Sequence, residues 1–139
     1  MMRIKTFNAH PKYKIRNRET KELACHVLKK EGHRKVECSI IFIDDRRMKE
    51  LNGTYRHHWY TTDVLSFSLS EYNSKIEGEV YINVDQARRQ ARRYNVSIKN
   101  EISRLVIHGL LHLIGYEDKT KKERDSMTKL ENSYLAGVY

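Results

Sequence analysis

Proline is almost missing from this chain, with Pro11 its single instance, and cysteine occurs only twice, at Cys25 and Cys38. One proline leaves no polyproline segment or proline-rich linker. Two cysteines, with no close Cys or His at ligand spacing, exclude a disulfide framework; reduced, buried thiols are expected. There is no internal repeat and no low-complexity tract. Long apolar runs are missing too. The most apolar stretch, Leu105 to Gly115, is too short to span a bilayer and holds two histidines. Residues 1–14 carry charges and no apolar run, which does not read as a signal peptide. These absences predict a cytoplasmic protein without a membrane span.

Positive charge is in excess. Lys and Arg total 27 against 18 Asp and Glu, a formal net charge of +9. That balance favours a polyanionic partner, RNA or DNA first and an anionic membrane second, but it reports on encounter and not on chemistry. With 39% hydrophobic and 32% charged residues, the chain supports one modest core under a well-solvated surface, read as a single domain over residues 1–139.

The hydrophobic pattern alternates between strand and helix periods. Residues 2–7 read as a short strand. Residues 20–31 read as a helix with Leu23, Val27 and Leu28 inward, ending before Gly32. Residues 36–43 read as a strand with Val36, Cys38, Ile40 and Phe42 on one face. Asp44 or Asp45 caps a helix that is expected to stop near Asn52-Gly53. Val64 to Ser68 is a strand, and Glu79 to Asn83 another, after a polar loop over residues 73–78. Asp85 opens a helix with Ala87, Ala91 and Tyr94 inward and Arg88, Arg89, Arg92 and Arg93 outward. Ser97 caps the next helix, which runs to about Ile114. A final amphipathic helix over 119–136 places Met127, Leu130 and Tyr134 on one stripe. The expected fold is α+β, a small mixed β-sheet packed by about five helices.

The helix ending near Ile114 is apolar on almost every face, so it is read as buried and central. His108 and His112 lie within it at i and i+4. Both side chains project from one face and can converge on one ion. Gly115 can end the helix in the left-handed conformation, letting the chain turn back so that Asp118 supplies a third ligand. The string His108-x-x-x-His112-x-x-Gly115-x-x-Asp118 has the spacing of the metzincin signature with its last histidine replaced by aspartate. Two imidazoles and a carboxylate suit zinc or another divalent ion, and three protein ligands leave a coordination position open for water, the mark of a catalytic site.

A metzincin peptidase carries its general base directly after the first histidine. Here that residue is Gly109, which moves no proton, costs about 1 kcal/mol in a helix against alanine, and points to close approach of another segment or of substrate. Glu101, two turns before His108, either orients an imidazole from behind or serves the helix dipole.

The stretch from His108 to Asp118, HGLLHLIGYED, resembles the H-G-x-L-H-L-x-G-Y-D-H signature of the YbeY family of endoribonucleases, also called rRNA maturation factors. Leu51-Asn52-Gly53-Thr54-Tyr55-Arg56 and Thr62-Asp63-Val64-Leu65-Ser66-Phe67 are similar to that family's L-N-x-x-Y-R and T-D-V-L-S-F. Gly78-Glu79-Val80-Tyr81-Ile82 matches its G-D-I-x-I more weakly. The blocks keep their order over roughly residues 45–135.

The resemblance implies a mixed sheet with helices and one zinc-like ion on His108, His112 and the position of Asp118. It also implies metal-dependent cleavage of single-stranded RNA, tied to maturation of small-subunit ribosomal RNA and to ribosome quality control. The partners implied are RNA, ribosomal RNA and the small ribosomal subunit, with no membrane. Arg56 falls on an arginine that acts near the metal. The chain departs from the pattern at Asp118, where the family has histidine, and at Thr61 and Ser68, where it has proline.

Read from the residues alone, Arg56 either holds a phosphate in bidentate fashion or is a solvated surface charge. Asp63 supports the site or caps a turn. His57, His58 and Trp59 either stack bases or simply form the turn. Three functions follow: a metal-dependent endoribonuclease, a metallopeptidase of metzincin-like spacing, and a non-catalytic rRNA-binding assembly factor.

Overall fold

The computed structural model describes residues 2–70 and 75–137. Nine elements follow in order: β1 (Met2–Asn8), α1 (Asn17–Lys30), β2 (Val36–Ile43), α2 (Asp45–Arg56), β3 (Val64–Ser68), β4 (Ile76–Asn83), α3 (Val84–Tyr94), α4 (Ile98–Leu113) and α5 (Lys121–Ala136). The sheet runs β1-β2-β4-β3. The pairs β1–β2 and β2–β4 are parallel, and β3 closes the edge antiparallel to β4. The fold is therefore α+β, with a four-stranded mixed sheet and five helices among the described residues.

The alternation in β2 sorts the layers. Val36, Cys38, Ile40 and Phe42 are buried with Val80 and Ile82 beneath α1, α3, α4 and α5. On the opposite face, Ile43 and Leu65 meet Met48 and Leu51 of α2 in a smaller cluster. Burial pushes the Cys38 thiol up to about 12, an unreactive group; Cys25 is only half buried, against expectation, and both thiols are free. No helix among the described residues is long and apolar enough to cross a membrane.

Several boundaries differ from the sequence reading for local reasons. Helix α1 starts at Asn17, and α5 starts after Thr120, whose hydroxyl and Glu123 form a reciprocal capping box. Helix α2 runs through Asn52-Gly53 to Arg56 and ends at His57 in the left-handed conformation, φ 58°. Strand β4 begins at Ile76, because the polar run Glu77-Gly78 pairs with β2 at Glu37 and Cys38; residues 73–74 of the expected loop lie outside the described residues. Helix α3 is capped by Asn83 rather than opened by Asp85, whose carboxylate instead accepts from His10 Nε2 at 2.8 Å and Asp45 N at 3.0 Å. Tyr94, expected inward, is exposed because it sits at the helix end beyond the packed turns.

Helix α4 is the hub, touching α1, α3, α5, β3 and β4. Gly109 sets its height above the sheet. A Cβ there would stand 2.4 Å from Val80 Cγ1 and 3.0 Å from Val64 Cγ2. Its carbonyl accepts a 2.7 Å hydrogen bond from the Ser66 hydroxyl on β3. The close approach is thus of a segment and not of substrate. Gly109→Ala gains about 1 kcal/mol of helix propensity but overpacks this contact, so a net loss of about 1–2 kcal/mol is expected. Urea denaturation measures it; equal or greater stability would mean that α4 is free to lift.

Candidate metal centre

His108 and His112 sit on the face of α4 that lines an open cleft beside β3, each about three-quarters buried. Their rings meet edge to face, with Nε2 atoms 3.0 Å apart. After α4, Gly115 at φ 111° reverses the chain, and Asp118 returns to the pair. Its Oδ2 lies 3.1 Å from His112 Nε2 and 3.6 Å from His108 Nε2. Ligands at about 2.0–2.2 Å in tetrahedral directions stand about 3.3–3.5 Å from one another, so the spacing is that of a shared divalent ion.

The remaining ring nitrogens decide the chemistry. His112 Nδ1 lies 2.9 Å from the Tyr116 carbonyl oxygen, which can only accept, so Nδ1 carries the hydrogen. His108 Nδ1 lies 2.7 Å from Glu131 Oε2, and a carboxylate also accepts. With both imidazoles neutral, two Nε2 lone pairs and a carboxylate oxygen face one another with no hydrogen among them. Only a cation or a proton makes that arrangement favourable. The donor set therefore fits a metal, and the three groups form a His/His/Asp cluster able to bind one.

A proton competes for the same place. Burial works against the charged form of His108, but the Glu131 hydrogen bond and charge, then the charges of Asp63 and Asp118, outweigh it and raise the pKa above the ordinary 6.5. Metal must displace that proton, so affinity rises with pH through the His108 titration.

Both imidazoles are braced from behind. Glu131 is buried in α5, and its other oxygen accepts from Arg104 Nη1 at 3.0 Å. Tyr116 is anchored by its hydroxyl, which donates to Glu31 Oε1 at 2.5 Å, while the Tyr134 hydroxyl donates to the other oxygen of Glu31. Glu101 does not reach an imidazole. It is buried and accepts from Gln90 Nε2 at 2.7 Å, and burial raises its pKa. The bracing role falls to Glu131, which the sequence reading missed. The signal was there: a charged residue four after Met127 and three before Tyr134, on the inward stripe. Tyr116 acts through its backbone and leaves no such signal.

Arg56, at the end of α2, and Asp63, before β3, line the same open cleft as His108, His112 and Asp118. Arg56 is exposed, its Nη2 3.5 Å from the Ser66 carbonyl and its guanidinium 5.8 Å from the Phe67 ring centre. The structure thus brings Arg56, Asp63, His108, His112 and Asp118 to one cleft.

The family model described as "Endoribonuclease YbeY" matches residues 5–139. The chain belongs to the YbeY family. It is 42% identical over 113 residues to Endoribonuclease YbeY of Chloroherpeton thalassium, covering 81% of this chain and 79% of that one. It is 35% identical over 131 residues to the Cytophaga hutchinsonii protein of the same name, covering 94% and 92%. The Aquifex aeolicus YbeY protein is 40% identical over 128 residues, covering 90% and 85%. The solution structure of TM1509 from Thermotoga maritima matches with a TM-score of 0.68 at 31% identity, over 97% of this chain and 87% of that one.

Asp118 is where this YbeY chain departs from the histidine of the family pattern. Asp118→Ala should lower zinc affinity by more than about tenfold, read by titration at fixed pH, and Asp118→His should raise it. Equal affinity for Asp118→Ala and the parent would remove Asp118 from the site. Glu131→Gln keeps the shape but weakens the acceptor behind His108; affinity should fall about 10–100-fold. No change in the same titration would make Glu131 a packing residue only.

Proposed function

We propose that this chain is a metal-dependent endoribonuclease acting on single-stranded RNA, in maturation of small-subunit ribosomal RNA and in ribosome quality control in the cytoplasm. The observation that carries the reading is the convergence of His108 Nε2, His112 Nε2 and Asp118 Oδ2, with both Nδ1 atoms committed to acceptors, in a cleft shared with Arg56. Family membership and the net charge of +9 support RNA as substrate, with ribosomal RNA and the small ribosomal subunit as partners.

The ligand set of two imidazoles and a carboxylate favours one zinc ion. Held by His108, His112 and Asp118, such an ion would supply an acidified water and a Lewis acid for a phosphoryl oxygen. The chain's own residues do the rest. His108 and His112 are fixed in tautomer and orientation by Glu131 and the Tyr116 carbonyl. Arg56 offers a planar, permanently charged fork to the non-bridging phosphate oxygens and offsets the charge that builds on them. The open cleft admits an extended strand.

Only the ligand spacing favours a peptidase. The position of the peptidase base is Gly109, packed on Val80 and Val64 with no space for a side chain. Purified protein incubated with single-stranded RNA and with casein, each with and without chelator, tests the reading. RNA cleavage abolished by chelator and restored by zinc is expected. Casein cleavage, or RNA binding without any cleavage, would replace it with the peptidase or the assembly factor.

A further inference from the structure

The loop from His57 to Asp63 joins α2 to β3 and carries four ring side chains in a row, His57, His58, Trp59 and Tyr60. It is held at many points. His57 turns the chain in the left-handed conformation, and the His58 N–H donates to the Asn52 carbonyl at 3.1 Å. The buried Asn52 side chain donates to the Tyr60 carbonyl at 2.9 Å. The Thr61 hydroxyl is bonded to Asp45 Oδ1 at 3.3 Å and to the buried Asn83 amide at 2.9 Å. Gly53 leaves the space that the Trp59 ring fills; a Cβ there would stand 2.1 Å from Trp59 Cε3.

These restraints fix rings that remain in water. The His58 and Tyr60 rings stack with centroids 5.3 Å apart and planes 12° apart, and the Tyr60 hydroxyl is hydrogen bonded to His58 Nδ1 at 3.2 Å. Tyr60 is 59% exposed. Both rings line the cleft that holds Arg56, His108, His112 and Asp118. The sequence placed the stacking rings at residues 57–59; in the fold Trp59 turns onto Gly53 and Tyr60 takes its place.

We infer that the His58–Tyr60 ring pair is a nucleobase subsite, on which a base next to the reacting phosphate stacks while Arg56 holds that phosphate. The inference rests on the endoribonuclease reading of the cleft and adds the means by which unpaired RNA is selected. A base inside a duplex has both faces covered by its neighbours and offers none to Tyr60, whereas an unpaired base can swing onto the rings. Stacking on an aromatic face tolerates every base, so the subsite selects strandedness and not sequence.

The test is a binding titration of the metal-loaded protein with a short single-stranded 2′-O-methyl oligonucleotide carrying phosphorothioate linkages to slow cleavage and one 2-aminopurine. Quenching of the 2-aminopurine reports stacking, and anisotropy reports affinity. Tyr60→Ala should weaken binding about tenfold or more and relieve the quenching. Tyr60→Phe should stay within about twofold of the parent, because the ring remains. His58→Ala, also at an exposed position, provides a second variant should Tyr60→Ala unfold. Metal content and melting temperature should be unaltered in all three.

Equal affinity and quenching in the parent and both alanine variants would overturn the subsite and leave the endoribonuclease reading intact. A Tyr60→Phe variant as weak as Tyr60→Ala would overturn stacking in favour of the hydroxyl. No binding of the oligonucleotide by the parent would overturn both the subsite and the reading on which it rests.

Discussion

His108→Ala and His112→Ala are each expected to leave well under one equivalent of metal on the purified protein and to abolish RNA cleavage. Each removes one of the three proposed ligands, so the loss of affinity should exceed the about 10–100-fold that follows removal of a hydrogen-bond partner behind a ligand. The fold should survive both changes. After His108→Ala, Glu131 keeps Arg104 as a partner, so no buried charge is stranded. After His112→Ala, the Tyr116 carbonyl is left facing the open cleft, where water can reach it. Elemental analysis beside a thermal melt separates loss of metal from loss of fold. Full occupancy in either variant would sink the site.

Arg56→Ala should do the opposite to the metal and the same to the reaction. The side chain is exposed, and its contacts to the Ser66 carbonyl and the Phe67 ring are long. Stability should therefore change by less than about 1 kcal/mol, as for most surface substitutions, and metal content should stay at the parent level. Cleavage should fall by about 10²–10³, the scale for removing one preorganised group that stabilises charge in a transition state. Arg56→Lys should recover only part of this, because an ammonium cannot hold two phosphate oxygens at once. Parent-level cleavage by Arg56→Ala would return Arg56 to the role of a surface charge. A large drop in melting temperature would make it a packing residue instead.

Much of this site was legible because helical spacing is a strong signal. His108 and His112 stand four apart in a run of apolar residues, and Gly115 marks where the chain turns back. The strand pattern of β2 was equally plain, since one face meets α1 and α4 and the other meets α2. What escaped the sequence depended on contacts far along the chain. Asn52-Gly53 looks like a helix stop. In the fold Asn52 is buried against the Tyr60 carbonyl and Gly53 accommodates Trp59, so tertiary contacts carry α2 on to Arg56. The polar start of β4 reads as loop until Ile76 is paired with Val36. Glu101 was the carboxylate that helical spacing offered for bracing His108, and only the docking of α5 against α4 brings Glu131 to the role instead.

That docking carries a consequence for the order in which the protein is completed. Both histidines come from α4 and Asp118 from the turn after it, but the carboxylate that orients His108 arrives only with α5. During synthesis the earlier elements emerge and can pack first. A nascent chain that has reached residue 120 holds every proposed ligand and yet lacks the group that sets the His108 ring. The centre is therefore unfinished until the helix made after it has folded back, and the ability to hold metal tightly becomes a report that the polypeptide has been made at least as far as Glu131.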